Sequence, residues 1–242
     1  MRRLILADIH ANFPAFEAVL NDAGSFDEAV FLGDIVDCGP HPSECVDLLA
    51  EIGALCIHGN HDAGVLAVDD CVERRRDYVD WREWTYDQLR PDQRAYIASF
   101  PKVRSIQSCG RQATLIHQVH GAPYLHESMT DEQVVRHFAS IDGEAIYSGH
   151  CHRLIDRTVD GKRYICFRAV GQQRDGDTRA SYAIEEDGVL THNLVLYDVE
   201  RVARDTEQIG MDPTYTARFA AFVRTACDAE WSRDFNAYDE TG

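Results

Sequence analysis

Four short polar motifs along this chain each come directly after a run of apolar residues. The runs occupy residues 4–7, 29–32, 54–57 and 145–147. Short apolar runs that do not alternate with polar residues predict strands buried on both faces. Because open α/β sheets bind ligands at the carboxyl ends of their strands, we expect the motifs to meet at one sheet edge. The motifs are Asp8-Ile9-His10, Gly33-Asp34-Ile35-Val36-Asp37, Gly59-Asn60-His61-Asp62 and Gly149-His150-Cys151-His152.

The side chains of these motifs are typical ligands of divalent metal ions. Carboxylate, carboxamide and imidazole groups together suit Mn, Fe, Zn or Ni. Two such ions roughly 3.5–4 Å apart can hold phosphate oxygens and lower the pKa of a water molecule. A fifth apolar run, residues 113–116, ends at His117, and His120 follows close behind. His117 is the favoured ligand because it directly ends the run, and His120 is the alternative.

Composition limits the classes of function. The chain has 242 residues, of which 45% are hydrophobic, so we expect one sizeable core and a single domain over residues 1–242. The net charge of −17 argues against binding of long nucleic acids, whose phosphates it would repel. We see neither a signal peptide nor an apolar run near the ~20 residues of a membrane helix. Eight cysteines without a Cys-x-x-Cys pair favour a reduced, cytoplasmic protein with no membrane partner.

Helix signals lie between the strands. The predicted helices cover residues 13–23, with Asn12 as N-cap, residues 43–52, a segment opened by a Thr130–Gln133 capping box, and residues 212–231. Residues 69–100 are predicted to form a helical, cap-like insert rich in charged and aromatic residues. Its aromatic side chains could pack on the rim of the sheet, which we favour, or form a lid that stacks on a nucleobase. The cluster Arg74-Arg75-Arg76 could steer an anion, although a solvated helix face is the favoured interpretation.

The pattern changes to short β-strands after residue 160. The predicted strands cover residues 163–167, 181–185 and 190–197, with a hairpin turn at Asp187-Gly188. We expect these strands to form a second, mostly antiparallel sheet.

The sequence resembles the calcineurin-like metallophosphoesterase superfamily. The resemblance rests on Asp-x-His, Gly-Asp-x-x-Asp, Gly-Asn-His-Asp, a strand-terminal His and Gly-His-x-His, in that order. Residues 7–15, 33–40 and 170–177 also resemble the small bacterial and archaeal phosphodiesterase branch. The resemblance covers roughly residues 1–200. It implies an α/β fold in which two facing mixed β-sheets are flanked by helices, as a four-layer sandwich.

The resemblance also implies the ligands of two divalent metal ions. One ion would be held by Asp8, His10 and His152, and the other by Asn60, His117 and His150. Asp34 would bridge the two ions, because a carboxylate has two oxygens. Asp37 would orient a ligand without binding metal.

Catalytic and substrate-binding residues are expected beside the metals. His61, as an imidazolium, could stabilise the developing charge or protonate the leaving oxygen, and Asp62 could orient it. We assign Asn12, Asn60 and Arg168 as candidate substrate-binding residues. Arg168 lies in Cys166-Phe167-Arg168-Ala169, where the family usually has an Asn-Pro-Gly-Ser turn, and we expect its guanidinium to reach a substrate phosphate. Cys151 replaces a frequent Thr and should point away from the metals, since neighbours on an extended segment face opposite ways.

The leading functional prediction is a metal-dependent phosphoesterase, and more narrowly a phosphodiesterase. In such an enzyme a metal-bridging hydroxide attacks a small phosphate ester, such as a nucleotide, in line with the leaving group. One alternative is a metal-binding scaffold of the same fold with little or no activity. Others are a phosphomonoesterase or protein phosphatase, and a nuclease for short oligonucleotides. The sequence leaves open whether the chain forms a homo-oligomer.

Overall fold

Short strands and helices alternate along the chain, and this computed structural model describes residues 1–67, 76–122 and 124–227. The strands are β1 (Arg2–Leu6), β2 (Glu28–Phe31), β3 (Leu55–Cys56), β4 (Val103–Ser108), β5 (Arg111–Ile116), β6 (Ala145–Ser148), β7 (Ile155–Val159), β8 (Lys162–Cys166), β9 (Ala180–Glu186) and β10 (Val189–Val195). The helices are α1 (Phe13–Ala23), α2 (Pro42–Glu51), α3 (Asn60–Leu66), α4 (Arg76–Gln88), α5 (Pro91–Ala98), α6 (Asp131–His137), α7 (Val199–Glu207) and α8 (Pro213–Thr225).

The described strands form two mixed sheets. The strand order is β10-β9-β1-β2-β3 in the first sheet and β4-β5-β6-β8-β7 in the second. In the first sheet β1, β2 and β3 are parallel, with Leu4 beside Ala29 and Val30 beside Leu55. In the second sheet β5, β6 and β8 are parallel, and β4 and β7 run antiparallel to their neighbours. Each sheet therefore has a parallel centre whose carboxyl ends share one edge.

The two sheets pack face to face because their strands are apolar on both sides. In and just after β1, Ile5 and Ala7 face the second sheet and join a core that includes Leu115. Leu4 and Leu6 face the other way and pack with residues of α1 and α2. Residues of α6 cover the outer face of the second sheet in the same manner. This order of helix, sheet, sheet and helix confirms the predicted fold class.

The hairpin near the end of the chain joins the first sheet. β9 and β10 pair antiparallel around Asp187-Gly188, as predicted. However, β9 also pairs antiparallel with β1, with Ile184 opposite Leu4, whereas β8 lies parallel to β6 in the other sheet. The predicted separate antiparallel sheet was therefore wrong. Pairing between strands far apart in sequence depends on packing against their neighbours, which a single sequence does not display.

Most helix ends follow their sequence signals. Asn12 Oδ1 accepts a hydrogen bond from the Ala15 amide at 3.1 Å, which confirms Asn12 as the N-cap of α1. The last helix is shorter than predicted, because Ala226 adopts a left-handed φ of 49° directly after Thr225. Residues 228–231 of that predicted helix lie outside the described residues. Within the described part of the chain, no helix combines the length and apolar character needed to cross a membrane.

The segment predicted as an insert is helical where it is described, in α4 and α5. Trp81 of α4 is 4% exposed and packs on Phe219 of α8, with ring centroids 5.3 Å apart. Tyr86 packs against the helical side of the first sheet. These contacts favour packing over a nucleobase-stacking lid. The cluster Arg74-Arg75-Arg76 lies in the stretch whose side chains the structure does not describe.

A buried arginine and its partner Glu185 form a polar cluster that joins the two sheets at their amino edge. Arg3 forms ion pairs with Glu28 of β2 and Glu185 of β9. Glu185 also accepts hydrogen bonds from Ser108 Oγ at 2.7 Å and from the Cys109 amide at 2.6 Å, at the end of β4. We call these five residues the amino-edge cluster. The positive charge of Arg3 is therefore paired with two carboxylates, and the carboxylate of Glu185 accepts hydrogen bonds from its neighbours.

Candidate metal centre

Five strands, three from the first sheet and two from the second, bring the predicted metal ligands to one edge. The ligands follow β1 (Asp8, His10), β2 (Asp34), β3 (Asn60), β5 (His117) and β6 (His150, His152). Five of the seven side chains are at most 3% exposed, and the remaining two are half-buried. The alternative ligand His120 is exposed. We call the seven residues the carboxyl-edge cluster.

One end of this cluster is formed by Asp8, His10 and His152, a group able to hold a metal ion. The Nε2 atoms of the two histidines lie 3.1 Å apart, and His152 Nε2 lies 3.4 Å from Asp8 Oδ1. The opposite nitrogen, His152 Nδ1, donates to the Gln172 carbonyl at 2.5 Å. This bond fixes the ring so that Nε2 presents its lone pair to the cluster.

The other end is formed by Asn60, His117 and His150. Asn60 Oδ1 lies 3.0 Å from His117 Nε2 and 2.9 Å from His150 Nδ1. His117 Nδ1 donates to the Leu32 carbonyl at 2.7 Å, which turns its Nε2 inward. Tyr124 stacks on the His150 ring, with centroids 4.3 Å apart. Both imidazoles are therefore held in fixed orientations around the carboxamide oxygen.

Asp34 lies between the two ends. Its Oδ2 is 3.0 Å from His117 Nε2 and 3.8 Å from His10 Nε2. Its Oδ1 accepts a hydrogen bond from the His61 amide at 2.8 Å. One carboxylate oxygen thus faces a histidine of each group, which is the position that a bridging ligand requires.

Burial controls the pKa values of the cluster. It raises the pKa of Asp8 to about 7 and lowers the pKa of His10 to about 3. It also lowers the pKa of His152 well below the usual range, so the imidazole is neutral at pH 7. His117 differs, because the carboxylates of Asp34 and Asp8 outweigh burial and raise its pKa to about 9. A positive charge at His117 therefore offsets the two carboxylates.

The donor set fits divalent cations. Among the described residues, Asp34 Oδ2 is a buried oxygen with no hydrogen-bond partner of good geometry. Buried polar atoms normally have such a partner, so each exception calls for an explanation. The lone pairs of neutral imidazoles also converge on the same space. A cation that accepts nitrogen and oxygen ligands would satisfy all of these atoms at once.

The backbone at the cluster is strained. Five of the seven residues have left-handed φ angles, namely Asp8 (54°), His10 (48°), Asp34 (62°), His150 (77°) and His152 (58°). Each such conformation costs a non-glycine residue roughly 1–2 kcal/mol. Strain of this kind collects at functional sites, where the surrounding structure holds it in place.

Two glycines allow the strand ends to approach each other. A Cβ atom on Gly59 would lie 2.0 Å from Asp34 Oδ1. Gly33 has a φ of 95°, and a Cβ atom there would lie 2.7 Å from His117 Nδ1. Any side chain at either position would push a ligand out of the cluster.

His61 lies beside the cluster and is paired with Asp37, which Arg82 also contacts. Its ring stands at right angles to the His10 ring, with centroids 4.8 Å apart. His61 Nδ1 lies 2.8 Å from Asp37 Oδ2, and Arg82 Nε donates to the same oxygen at 3.2 Å. Burial opposes ionisation of Asp37, but His61 and Arg82 hold its pKa below the usual range. Asp37, predicted to orient a metal ligand, orients His61 instead, and Arg82 was not foreseen at all.

Comparison with known proteins identifies the family. The model of the calcineurin-like phosphoesterase family matches residues 1–154, which include all seven predicted ligands. A metallophosphoesterase from Sphaerobacter thermophilus is 31% identical, with a TM-score of 0.72 over 91% of this chain and 99% of that one. An uncharacterized protein of Methanocaldococcus jannaschii is 29% identical over 216 residues, or 81% of this chain and 88% of that protein. A hypothetical protein from Pyrococcus horikoshii shares the fold, with a TM-score of 0.77 at 17% identity over 90% of this chain and 97% of that one.

The chain belongs to the calcineurin-like phosphoesterase family. The resemblance to metallophosphoesterases seen in the sequence is thereby confirmed.

Asp62 of this calcineurin-like phosphoesterase does not contact the His61 imidazole in the way we predicted. Its carboxylate accepts hydrogen bonds at 2.9 Å from the amides of Asp34, Ile35 and Gly59. Asp62 therefore ties the loop after β2 to the start of α3. The prediction that it orients His61 was wrong, because consecutive residues at the start of a helix point in different directions.

Asn12 is also engaged in the fold. Its Nδ2 donates to the Gly171 carbonyl at 2.8 Å and to Tyr197 Oη at 3.3 Å, while its Oδ1 caps α1. The residue is 1% exposed. The assignment of Asn12 to substrate binding is therefore corrected to a structural role.

Arg168 closes a loop and does not face the cluster. Its Nε and Nη2 bind the two Asp175 oxygens at 2.5 and 2.7 Å, and its Nη1 donates to the Arg179 carbonyl at 2.6 Å. The guanidinium forms the two parallel hydrogen bonds that we predicted, but it forms them to a carboxylate and not to a phosphate. Arg168 is therefore structural, and the expectation that it reaches substrate was wrong.

Arg174 was missed as a charged neighbour of the cluster. It is 7% exposed, and its Nη2 donates to Gln172 Oε1 at 3.3 Å. Its charge lowers the pKa values of Asp8 and His10, among other ligands. Arg174 lies within the 170–177 stretch that carried the resemblance, which was the available signal. Cys38 is a further neighbour, and with His10 and His61 it forms another group of possible metal ligands.

Proposed function

We propose that this protein is a metal-dependent hydrolase of small phosphodiesters. The observation that carries the proposal is the convergence of seven nitrogen and oxygen ligands from both sheets, five of them buried, with the His61–Asp37 pair beside them. The family supplies the reaction class, phosphoester hydrolysis.

Two divalent cations would be held by the carboxyl-edge cluster. Asp8, His10 and His152 would bind one cation, and Asn60, His117 and His150 the other, with Asp34 shared between them. When bound, such cations lower the pKa of water towards neutrality and offset the charge of phosphate oxygens. The fixed rings of His117 and His152 present their Nε2 atoms without further rearrangement.

His61 would act on the leaving oxygen of the substrate. The Asp37 carboxylate at Nδ1 favours the imidazolium form and directs the opposite nitrogen, Nε2, away from Asp37. A proton at Nε2 can then be donated to the oxygen that departs from phosphorus. Arg82 would keep Asp37 ionised and in place. In this assignment Asp37 and Arg82 are positioning residues, and His61 is the catalytic residue.

Charge defines the class of substrate. The net charge of −17 repels long polyanions, while Arg174 places a buried positive charge beside the ligands. A substrate with one or two phosphates, such as a small nucleotide diester, fits this balance. Asn60 would be a metal ligand, and we propose that its carboxamide also contacts such a substrate.

The test is hydrolysis of bis-p-nitrophenyl phosphate and p-nitrophenyl phosphate with added Mn²⁺ and then with a chelator. We expect diester cleavage that the chelator abolishes. His61→Gln should lower kcat/KM for the diester about 10²–10⁴-fold, because it removes a positioned proton donor. His126→Gln is the matched control, since His126 is exposed and bonds Ser128; its activity should equal that of wild type.

The outcomes separate the candidate functions. Faster cleavage of the monoester would replace the diesterase proposal with a phosphomonoesterase. Bound metal without turnover of either substrate would favour a scaffold. Equal activity of His61→Gln and wild type would remove His61 from the catalytic step. Asp37→Asn should shift the pH profile of kcat, which a purely structural residue would leave in place.

A further inference from the structure

Two cysteines meet directly behind the metal ligands. Cys151 Sγ lies 2.8 Å from Cys166 Sγ, and Cys166 Sγ also donates to the Gly149 carbonyl at 2.8 Å. Cys151 stands between His150 and His152, one ligand from each end of the carboxyl-edge cluster. Cys166 is the last residue of β8.

We propose that Cys151 and Cys166 form a reversible disulfide that fastens the ligand loop, residues 149–152, to β8. A disulfide has a sulfur–sulfur distance of about 2.05 Å, so the two sulfurs need to approach by less than an ångström. Ser148, at the end of β6, is already paired with Cys166 in the sheet, which holds the two segments side by side. The bond would therefore form with little displacement of the backbone.

The fastening matters because the loop is strained. His150 and His152 both have left-handed φ angles, and Cys151 links them. When bound metal ions leave, a strained loop is free to relax and to carry both histidines away from the cluster. A covalent bond at Cys151 would hold both imidazoles at their positions through that interval.

The chemistry requires a two-electron oxidant, and hydrogen peroxide is a sufficient one. The Cys151 sulfur attacks the peroxide, so that an S–O bond forms, the O–O bond breaks and the departing oxygen takes the thiol proton as water. Cys166 then attacks that sulfur, so that the S–S bond forms, the S–O bond breaks and a second water leaves with the second proton. Two thiols thus lose two electrons and two protons, and a thiol reductant reverses the change.

A route to Cys151 exists from one side. A small cavity touches Cys151 and His150, and its walls include Val119, Leu125 and Phe138. Cys166 is 1% exposed and, unlike Cys151, is not among the residues that line this cavity. A molecule as small as hydrogen peroxide would therefore meet Cys151 first, and Cys166 would resolve the oxidised sulfur.

Peptide mapping tests whether the bond forms. The full chain is treated with hydrogen peroxide or with dithiothreitol, alkylated after denaturation, and digested with trypsin. Residues 137–153 and 164–168 are separate tryptic peptides, each with one cysteine. We expect them to appear joined in the oxidised sample and separate in the reduced sample. Absence of the joined peptide from the oxidised sample overturns the proposal.

Zinc release tests whether the bond fastens the loop. Protein loaded with Zn²⁺ is mixed with a colorimetric chelator, and oxidised and reduced samples are compared. We expect release to slow severalfold on oxidation in wild type and in Cys227→Ser, whose cysteine is exposed and distant in sequence. Cys166→Ala and Cys151→Ser should show equal rates in both states. Equal rates in wild type, despite a joined peptide, would overturn the fastening role. Neither readout depends on phosphate-ester hydrolysis; the zinc readout rests on the proposed metal binding by the carboxyl-edge cluster, whereas the peptide map does not.

Discussion

The protein buries a charged cluster at each end of its parallel strands, and the two clusters are built in opposite ways. In the amino-edge cluster, Arg3 meets Glu28 and Glu185, and Ser108 and the Cys109 amide donate to Glu185. In the carboxyl-edge cluster, imidazole nitrogens converge with carboxylate and carboxamide oxygens on one space, and among the described residues Asp34 Oδ2 has no hydrogen-bond partner of good geometry. The polar groups of the amino-edge cluster find their partners within the protein, whereas those of the carboxyl-edge cluster fit an added cation.

The difference distinguishes a structural polar cluster from a binding site. Both clusters are buried, both include carboxylates, and both join the two sheets. Burial and charge alone therefore do not separate them. The separating property is whether each donor has an acceptor and each acceptor a donor within the protein. Three predictions test this contrast, and they follow from the largest expected effect to the smallest.

Replacement of the Asp34 carboxylate, which we propose is shared by two cations, should abolish activity while leaving the fold intact. Asp34→Asn removes the charge that would be shared by two cations but keeps an oxygen for the His61 amide. Loss of shared charge worth several kcal/mol corresponds to a fall in kcat/KM of about 10³-fold or more. Steady-state kinetics with Mn²⁺ measures the fall, and circular dichroism checks the fold. Unfolding of the variant, instead of inactivity, would mean that the carboxyl-edge cluster is structural as well.

Disruption of the amino-edge cluster should have the reverse effect. Arg3→Met leaves the Glu185 carboxylate buried without its cation, which costs about 3–5 kcal/mol of unfolding free energy. Urea denaturation measures this loss, and kcat of the folded variant should match wild type. Arg136→Met is the control, because the Arg136 pair with Glu132 is exposed and worth at most about 1 kcal/mol. If Arg3→Met lowered the free energy of unfolding no more than the control does, the amino-edge cluster would not have the structural role that separates it from the carboxyl-edge cluster.

Metal affinity should rise with pH, because cations compete with protons for the incomplete cluster. The pKa of His117 is raised to about 9, so binding below that pH must expel its proton. The affinity should therefore increase about tenfold, or 1.4 kcal/mol, per pH unit from 7 to 9 and level off above. Below pH 7 the slope should steepen, since the pKa of Asp8 is raised to about 7. Competition with a chelator at four pH values gives the slope. A flat profile between pH 7 and 9 would contradict the charge assigned to His117.

The parts of the fold and site that could be predicted are local in sequence. Each predicted ligand directly follows an apolar run, and the run predicts the strand that positions it. The N-cap of α1 at Asn12 and the turn at Asp187-Gly188 likewise depend on adjacent residues. Local backbone conformation determines each of these features, so a short stretch of sequence is enough to predict them.

The parts that could not be predicted join residues far apart in the chain. His61 bonds Asp37 instead of its neighbour Asp62, and Arg82 reaches the same carboxylate from α4. The guanidinium of Arg168 binds the Asp175 carboxylate, where we had predicted a substrate phosphate. In each case a charged side chain had several chemically suitable partners. Only the packing of the elements decides among them.

Hydrogen bonds from residues 170–171 to the segment after β1 can form only late in synthesis of the chain. The loop that carries Asp8 is closed by hydrogen bonds from the Val170 and Gly171 amides to the carbonyls of Ala7 and Asp8, at 2.9 and 3.0 Å. Gly171 is made 163 residues after Asp8. At about 5–20 residues per second, the interval is roughly 8–33 s. During that interval the nascent chain carries Asp8 and His10 without these closing contacts. We therefore expect metal loading to follow synthesis of residues 170–171, and a chain that ends before residue 170 to bind metal more weakly.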